Sequence, residues 1–494
     1  MTDWTDPLYS AAEMRAAEDA YDGPTLELME RAGDAVTQTV LRDFADARGF
    51  AVWCGTGANG GDGLVVARKL REAGRDVHVR LLGPEEKLEG DSAENLRRAK
   101  EAGVELSEED RPADVVVDAI FGTGFSGRPR REAARALEEL NRGHVARVAV
   151  DVPSGVDAST GETPGPAVDA CRTVTFHGWK IGLAVAPGRF HAGEVEVADI
   201  GLRPGQTRHA RATDRILALV PRRGPKDNKY SAGSVLVVGG STGMTGAPSL
   251  TAEAALRAGA GIVTACVPAA LNPIFEQRLV EVLTKPCSAD AKGRMGPEAV
   301  DTILESATRA DAIAIGPGLG RSAGTREVVR ELLENLDRPI VLDADGLWAL
   351  SGHLDWVFSR DAPTVLTPHT GELARLITRD STWVDAHRLD AVQAGTDDTG
   401  STVLLKGADT LVATPGRGVL VCDLGNPGLA TAGTGDVLTG VVGAFLAKGM
   451  DGRLAAAGAA AACGLAARVA AERHGTAGMI ASDVVEALSP ALSA

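Results

Sequence analysis

Near the C-terminal end, Asn426-Pro-Gly-Leu-Ala-Thr-Ala-Gly-Thr-Gly-Asp436 runs straight into the apolar stretch VLTGVVGAFLA, so a glycine-rich turn ends in a carboxylate at the start of a helix. Backbone N–H groups of Gly433 and Gly435, backed by the positive end of the helix dipole, suit a phosphate or a developing negative charge. Asp436 then stands within reach of the reacting oxygen, where a carboxylate serves as a base. A glycine turn with an N-capping Asp has the same spelling without any chemistry. Other loops decide between the two readings.

The first of these is Gly55-Thr-Gly-Ala-Asn-Gly-Gly-Asp-Gly63, which follows a strand-like run and precedes a helical one. That is the setting of a phosphate-cradling loop, although it does not spell the ordinary dinucleotide fingerprint. The chain also lacks any G-x-x-x-x-G-K-[ST], which excludes an ordinary nucleoside-triphosphatase loop. Asn59 and Asp62, set among the glycines, go beyond what a turn needs. Asp118 opens a second glycine loop that runs to Arg128, and Val148-Ala-Val-Asp-Val-Pro-Ser-Gly-Val-Asp157 ends another strand-like run. In an open parallel sheet the carboxyl ends of strands share one edge, so these three loops converge on one crevice. Asn59, Asp118 and Ser154 are hard oxygen ligands of low total charge, suited to a monovalent or weakly held cation rather than zinc or a redox metal. Each Asp alone also suits a cap or a turn; the three together favour a site.

The frame that positions these loops is read from periodicity. Short Val/Ile/Ala runs alternate with Ala/Arg/Glu-rich helical stretches, the pattern of buried parallel strands in an α/β fold. A helical pattern covers Leu8 to Arg48. Strands are expected at Phe50 to Cys54, Asp76 to Leu82, Asp114 to Ile120, Val145 to Asp151 and Arg172 to Phe176, with a helix from Leu64 to Ala73. The Pro-, Arg- and Gly-rich text from about Ile200 to Lys229 marks a seam, dividing the chain into 1–208 and 209–494. The second half restarts with a strand from Ser234 to Gly239 and a helix from Ala247 to Ala258. Further strands follow at Ile262 to Val267, Asp311 to Ile315, Pro339 to Leu342, Thr364 to Leu366, Thr402 to Leu405 and Leu411 to Ala413.

A chain of 494 residues is too long for one ordinary core. Its net charge of -16 argues against a nucleic-acid surface, so anionic ligands must be caught locally. Only ten of the 51 basic residues are Lys, an acid-rich and Lys-poor balance that would suit a high-salt cytoplasm. The six Cys are far apart with no C-x-x-C spacing, which reads as small core residues in a reducing compartment. The N-terminus lacks a basic start and an apolar stretch, and the Ala-rich run from Leu454 to Ala471 is interrupted by Gly458, Gly464 and Arg468. A buried helix is expected there, and a cytoplasmic protein with no membrane partner.

GxGxNGGDGxVxAR, DAIFGTG and DVPSGVD, spanning roughly residues 8 to 205, resemble the motifs of NAD(P)H-hydrate epimerase. The resemblance implies a Rossmann-like domain that interconverts the R and S forms of hydrated NAD(P)H. It implies substrate contacts at Ala58, Asn59, Gly60, Gly61 and Asp62, at Gly122, Thr123, Gly124, Phe125, Ser126, Gly127 and Arg128, and at Asp151. It also implies K+ held by Asn59, Asp118 and Ser154. The family usually has Asn-Asn before Gly-Gly-Asp where this chain has Ala58-Asn59, so the cation ligand is kept and a substrate contact is at stake. Epimerising a hemiaminal carbon needs reversible loss of hydroxide or ring opening, hence a carboxylate that gives and takes a proton. Asp151, at a strand end facing the crevice, is expected in that role.

The second half carries VVGGSxxMTGAPxL, GPGLG, LDADGL, LTPHxGE, LLKGxDT and AxAGTGDVLTG, all at expected strand ends. As a set over about Asp214 to Ser489 they resemble the ADP- or ATP-dependent NAD(P)H-hydrate dehydratase of the ribokinase-like superfamily. By implication Ala247, Gly318, His369 and Asp436 contact the hydrate, while Lys406, Gly407, Ala408, Asp409, Thr410 and Gly435 bind the adenine nucleotide with Mg2+. Family members often show an aromatic where this chain has Met244. His369 also reads as a helix N-terminal cap or packing residue. Phosphorylating the hydrate's 6-hydroxyl would turn water into a far better leaving group, which the ring nitrogen lone pair expels. Two rivals stay open at this point: a small-molecule kinase on the same fold, and a non-catalytic N-terminal module. The expected partners are the hydrates and ADP or ATP, with homo-oligomeric assembly ordinary for such enzymes.

Overall fold

The computed structural model describes residues 3–107 and 111–493. It divides into two compact units, 6–209 with 385–387, and 210–384 with 388–494, the second also taking the described N-terminal residues up to Thr5. Each unit is an α/β fold.

In the first unit seven strands form one parallel sheet, ordered Glu105–Leu106, Asp76–Leu81, Gly49–Cys54, Val115–Ala119, Ala146–Val150, Arg172–Phe176 and Glu194–Ala198. The three loops singled out above follow Gly49–Cys54, Val115–Ala119 and Ala146–Val150, which are consecutive neighbours, so one sheet edge carries them all. The expected helical stretch from Leu8 splits into the strand Thr5–Tyr9 and the helices Ala11–Asp19 and Thr25–Asp43. Gly23-Pro24 breaks the pattern, because proline cannot continue a preceding helix.

A second correction concerns the loop at 55–63. The helix starts at Ala58, not Leu64, so Asn59, Gly60, Gly61 and Asp62 occupy its first turns. Their glycines serve close packing instead of loop freedom. A Cβ on Gly60 would lie 1.9 Å from the Gly55 carbonyl oxygen, and one on Gly63 2.5 Å from Cβ of Ala119. Gly60→Ala is therefore expected to lower stability by roughly 2 kcal/mol or more, as overpacking does, read by urea unfolding; a neutral result would mean that the helix can shift.

In the second unit the strands Leu283–Cys287, Ile262–Pro268, Ser234–Val238, Ala312–Ile315, Ile340–Leu342, Thr364–Leu366 and Thr402–Leu405 lie parallel in that order. Leu411–Ala413 and Leu420–Val421 then continue antiparallel, and His209–Ala212 pairs with the latter. The Leu283–Cys287 and His209–Ala212 strands escape a periodicity reading, since the first is a largely exposed edge and the second is short and lies in seam-like text. The helices Thr434–Ala447 and Gly246–Arg257 approach so closely that a Cβ on Gly440 would sit 2.1 Å from the Thr251 carbonyl oxygen. Helix Gly452–His474 is long and apolar enough to cross a membrane by length and composition, yet two thirds of its most apolar window is buried in the core.

Candidate active sites

A cavity of about 1070 Å³ opens at the carboxyl edge of the first sheet. Ala58, Asn59, Asp62, Gly122, Thr123, Gly124, Phe125, Ser126, Arg128 and Asp151 line it; Gly60, Gly61 and Gly127 do not. Arg80, Lys87, Arg128 and Arg130 also line it, supplying the local positive charge that an acidic protein needs to hold an anion. Arg80 is fixed there by Glu139 at 2.8 Å and by stacking over Trp53.

Beneath the cavity, Asp118 and Ser154 are fully buried. The Ser154 hydroxyl donates to Asp118 Oδ1 at 2.6 Å, its N–H donates to Oδ2 at 2.8 Å, and the Phe121 N–H donates to Ser154 Oγ at 2.8 Å. Burial pushes the Asp118 carboxyl up to about 6 against the hydrogen bonds from Ser154 and Ile120. Asn59 abuts the neighbouring loop, since a Cβ on Gly122 would touch its amide at 3.0 Å, and its buried Nδ2 has no hydrogen-bond partner among the described residues.

Asp151 follows its strand in a left-handed conformation, φ 64°, which a non-glycine residue adopts only when its surroundings impose it. Its carboxylate is held by Lys180. This lysine has no exposed surface, and its Nζ lies 2.7 Å from Asp151 Oδ1. It also donates to Thr175 Oγ1 at 2.8 Å and to the Phe176 carbonyl at 2.7 Å, while Thr175 Oγ1 donates to Asp151 Oδ1 at 3.1 Å. A tight turn through His177, φ 66°, folds Lys180 back onto the strand it has just left. Nothing in FHGWK marks this lysine as functional, so the sequence reading missed it.

In the second unit Gly433 is left-handed, φ 93°, and caps the helix Thr434–Ala447. Gly435 and Asp436 thus sit in the first turn, where N–H groups have no intrahelical acceptor. A Cβ on Gly435 would lie 3.4 Å from Lys406 Nζ and 3.8 Å from Asp343 Oδ2, which brings the strand ends Leu342 and Leu405 to the glycine turn. Lys406 Nζ donates to Asp343 Oδ1 at 2.8 Å and Thr439 Oγ1 donates to Asp343 Oδ2 at 2.8 Å. Burial works against the Lys406 ammonium, but Asp343, Glu372 and Asp436 hold it above the ordinary lysine range. Burial, then Asp343 and Asp345, push Asp436 up to about 7, with Lys406 restraining the rise.

The remaining expected contacts divide. Gly318, φ 64°, lies against Ala247 and Met244: a Cβ there would be 2.5 Å from the Met244 carbonyl oxygen. Asp345 ties the neighbouring loop down through the Gly320 N–H at 2.9 Å and Arg321 at 2.8 Å. His369 does cap a helix: its Nδ1 accepts from the Gly371 N–H at 3.0 Å while Glu372 accepts from the His369 N–H. With Nδ1 accepting, the neutral ring carries its proton on Nε2, on a side chain 61% exposed. In 406–410, Lys406, Gly407, Ala408 and Thr410 reach the surface, but Asp409 turns inward to Arg388, at 2.8 Å. Asp409 thus shapes the loop from inside, and a Cβ on Gly407 would press on the Arg388 guanidinium. Asp343 and Thr439 join the site unforeseen; the carboxylate after strand Ile340–Leu342 was the available signal.

The chain matches the family model described as NAD(P)H-hydrate dehydratase over residues 235–490, and that of the YjeF-related protein N-terminus over 25–182. The bifunctional NAD(P)H-hydrate repair enzyme Nnr of Moorella thermoacetica is 40% identical, over 97% of this chain and 96% of that protein. The protein of the same name from Escherichia coli is 34% identical over 96% and 91%. Among solved structures, a ribokinase-like superfamily protein of Enterococcus faecalis is 24% identical with a TM-score of 0.50, covering 59% of this chain and 98% of that one.

Proposed function

The chain belongs to the bifunctional NAD(P)H-hydrate repair enzymes, and on that premise we propose that 1–208 interconverts the R and S hydrates of NADH and NADPH while 209–494 dehydrates the S hydrate at the expense of ADP or ATP. The observation that carries the second activity is Asp436, a carboxylate near 7 in the first turn of a helix beneath Lys406. In this reading Asp436 takes the proton of the C6 hydroxyl as its oxygen attacks the terminal phosphoryl group, and AMP or ADP leaves. The ring nitrogen lone pair then expels phosphate, a proton leaves C5, and NAD(P)H is restored. Lys406 and the first-turn N–H groups hold the transferring phosphoryl oxygens.

Mg2+ fits as a companion of the nucleotide: Asp343 and Asp345 are engaged with Lys406, Thr439 and Arg321, so they contribute charge rather than a ready ligand cage. When bound it neutralises charge on the phosphates. For the epimerase cavity, K+ fits the side-chain oxygens of Asn59, Asp118 and Ser154, because the fully buried Asp118 carboxyl is met only by neutral donors of Ser154 and Ile120 and has no cationic partner among the described residues. When bound it supplies a fixed positive charge under the cavity floor. K+ is expected to raise the melting temperature over an equal concentration of Li+, by the equivalent of about 2.7 kcal/mol at a hundredfold excess over its dissociation constant. Asp118→Asn should remove the difference; a K+ effect that survives it would place the cation elsewhere.

The deciding assay gives purified protein a mixture of R and S hydrate with ADP or ATP and follows the reduced-nicotinamide absorbance. Regain of absorbance with release of phosphate is expected. Accumulation of a phosphorylated product without regain would instead favour a kinase. We place the protein in the cytoplasm, with a homo-oligomer as its ordinary state.

A further inference from the structure

The epimerase cavity holds a second carboxylate, Asp62, beside Asp151. Asp62 lies on the first turns of helix Ala58–Glu72, which follows strand Gly49–Cys54, whereas Asp151 follows strand Ala146–Val150. Strand Val115–Ala119 lies between those two, so the carboxylates enter one cavity from either side of it. Their surroundings differ in kind. Asp151 is clamped by the buried Lys180 Nζ at 2.7 Å and by the Thr175 hydroxyl at 3.1 Å, two donors that suit a proton acceptor. Among the described residues Asp62 has no ion-pair partner, and the charges that bear on it are the carboxylates of Asp151 and Glu18, with the Cys54 thiol also nearby. Glu18 in turn has Arg15, Asp19 and Lys180 around it and stays open to the cavity's solvent, which screens its charge.

We propose that Asp62 and Asp151 are an opposed pair of proton-transfer groups acting on the C6 hydroxyl of the hydrate, Asp62 starting as the acid and Asp151 as the base. The assignment rests on the epimerase reading. Asp62 gives its proton to the hydroxyl oxygen, the C6–O bond breaks with its electron pair leaving as water, and the N1 lone pair forms N1=C6. Water then attacks C6 from the opposite face, and Asp151 takes the proton it sheds. One proton has crossed from Asp62 to Asp151, and the reverse epimerisation uses the same two groups with roles exchanged. Burial and the two neighbouring carboxylates hold Asp62 well above the usual carboxylate range, as its starting role requires.

The test measures R-to-S conversion by the whole chain without added nucleotide, as a function of pH. The wild type is expected to lose rate along an alkaline limb that reports Asp62 losing its proton. Asp62→Asn should lower kcat at least 100-fold, change KM less than threefold, and lose the alkaline limb. Glu18→Gln, which removes a like charge, should keep turnover and move the alkaline limb to lower pH. An Asp62→Asn rate within threefold of wild type overturns the assignment, as does a slow variant that retains the alkaline limb or a Glu18→Gln profile that does not move. If Asp62→Asn melts early, the Glu18→Gln profile decides. A wild type that does not interconvert the hydrates would sink the epimerase reading itself, a different failure.

Discussion

Replacing Asp436 by Asn is expected to lower phosphoryl-dependent regeneration of reduced nicotinamide at least 1000-fold, roughly 4 kcal/mol of transition-state stabilisation, while ADP and ATP affinities stay within threefold. In the proposed reading Lys406 and the first-turn N–H groups hold the phosphates, and the substitution leaves both in place, so the nucleotide loses little. The hydroxyl loses its proton acceptor. Turnover within tenfold of wild type would exclude Asp436 as the base. The pH dependence sharpens the test. A base must be ionised, and Asp436 sits near 7, so the dehydration rate should fall about tenfold for each pH unit below that value. Lys406→Met removes the charge that restrains the rise, so its acid limb should move to higher pH as nucleotide binding weakens.

The same displacement makes the stability of the fold depend on pH. A carboxyl whose folded value is raised favours the folded state while protonated, and that contribution is lost as pH rises through about 7. Asn imitates the protonated form. Asp436→Asn should therefore melt no lower than wild type at pH 8, which separates loss of chemistry from loss of fold.

The sequence made the strand ends legible, because loops rich in glycine and carboxylate follow apolar runs too short to be anything but buried strands. Asn59, Asp118, Ser154 and Asp436 stand out for that reason, since each is a polar side chain where a turn alone needs none. What stays hidden depends on contacts distant in the chain or on the folding of a turn. Lys180 reaches Asp151 across a left-handed turn at His177, and no local pattern marks it. The glycines at 60, 61 and 63 read as part of a phosphate-cradling loop, yet the surroundings that demand them are Gly55, Met29, Ser92 and Ala119, three of them on other elements. Asp409 fails in the opposite sense: KGADT presents it beside Lys406, but only the structure turns it inward to Arg388.

For the first cavity, Asp151→Asn should lower R-to-S conversion at least 100-fold and leave dehydration of the S hydrate unchanged. Given both hydrates and ATP, the wild type restores the whole reduced-nicotinamide absorbance, whereas the variant restores only the S share at the wild-type rate. Full recovery at that rate would assign the base elsewhere and revive the non-catalytic module. Lys180 sets the second half of this prediction. Lys180→Met strands a buried carboxylate, which costs about 3–5 kcal/mol when one partner of a buried pair is removed. The double variant Asp151→Asn/Lys180→Met leaves no unpaired charge, so it should regain most of the lost stability and none of the activity. If it also regained activity, the Asp151–Lys180 pair would be structural, and the proton would have to move through another group in the cavity.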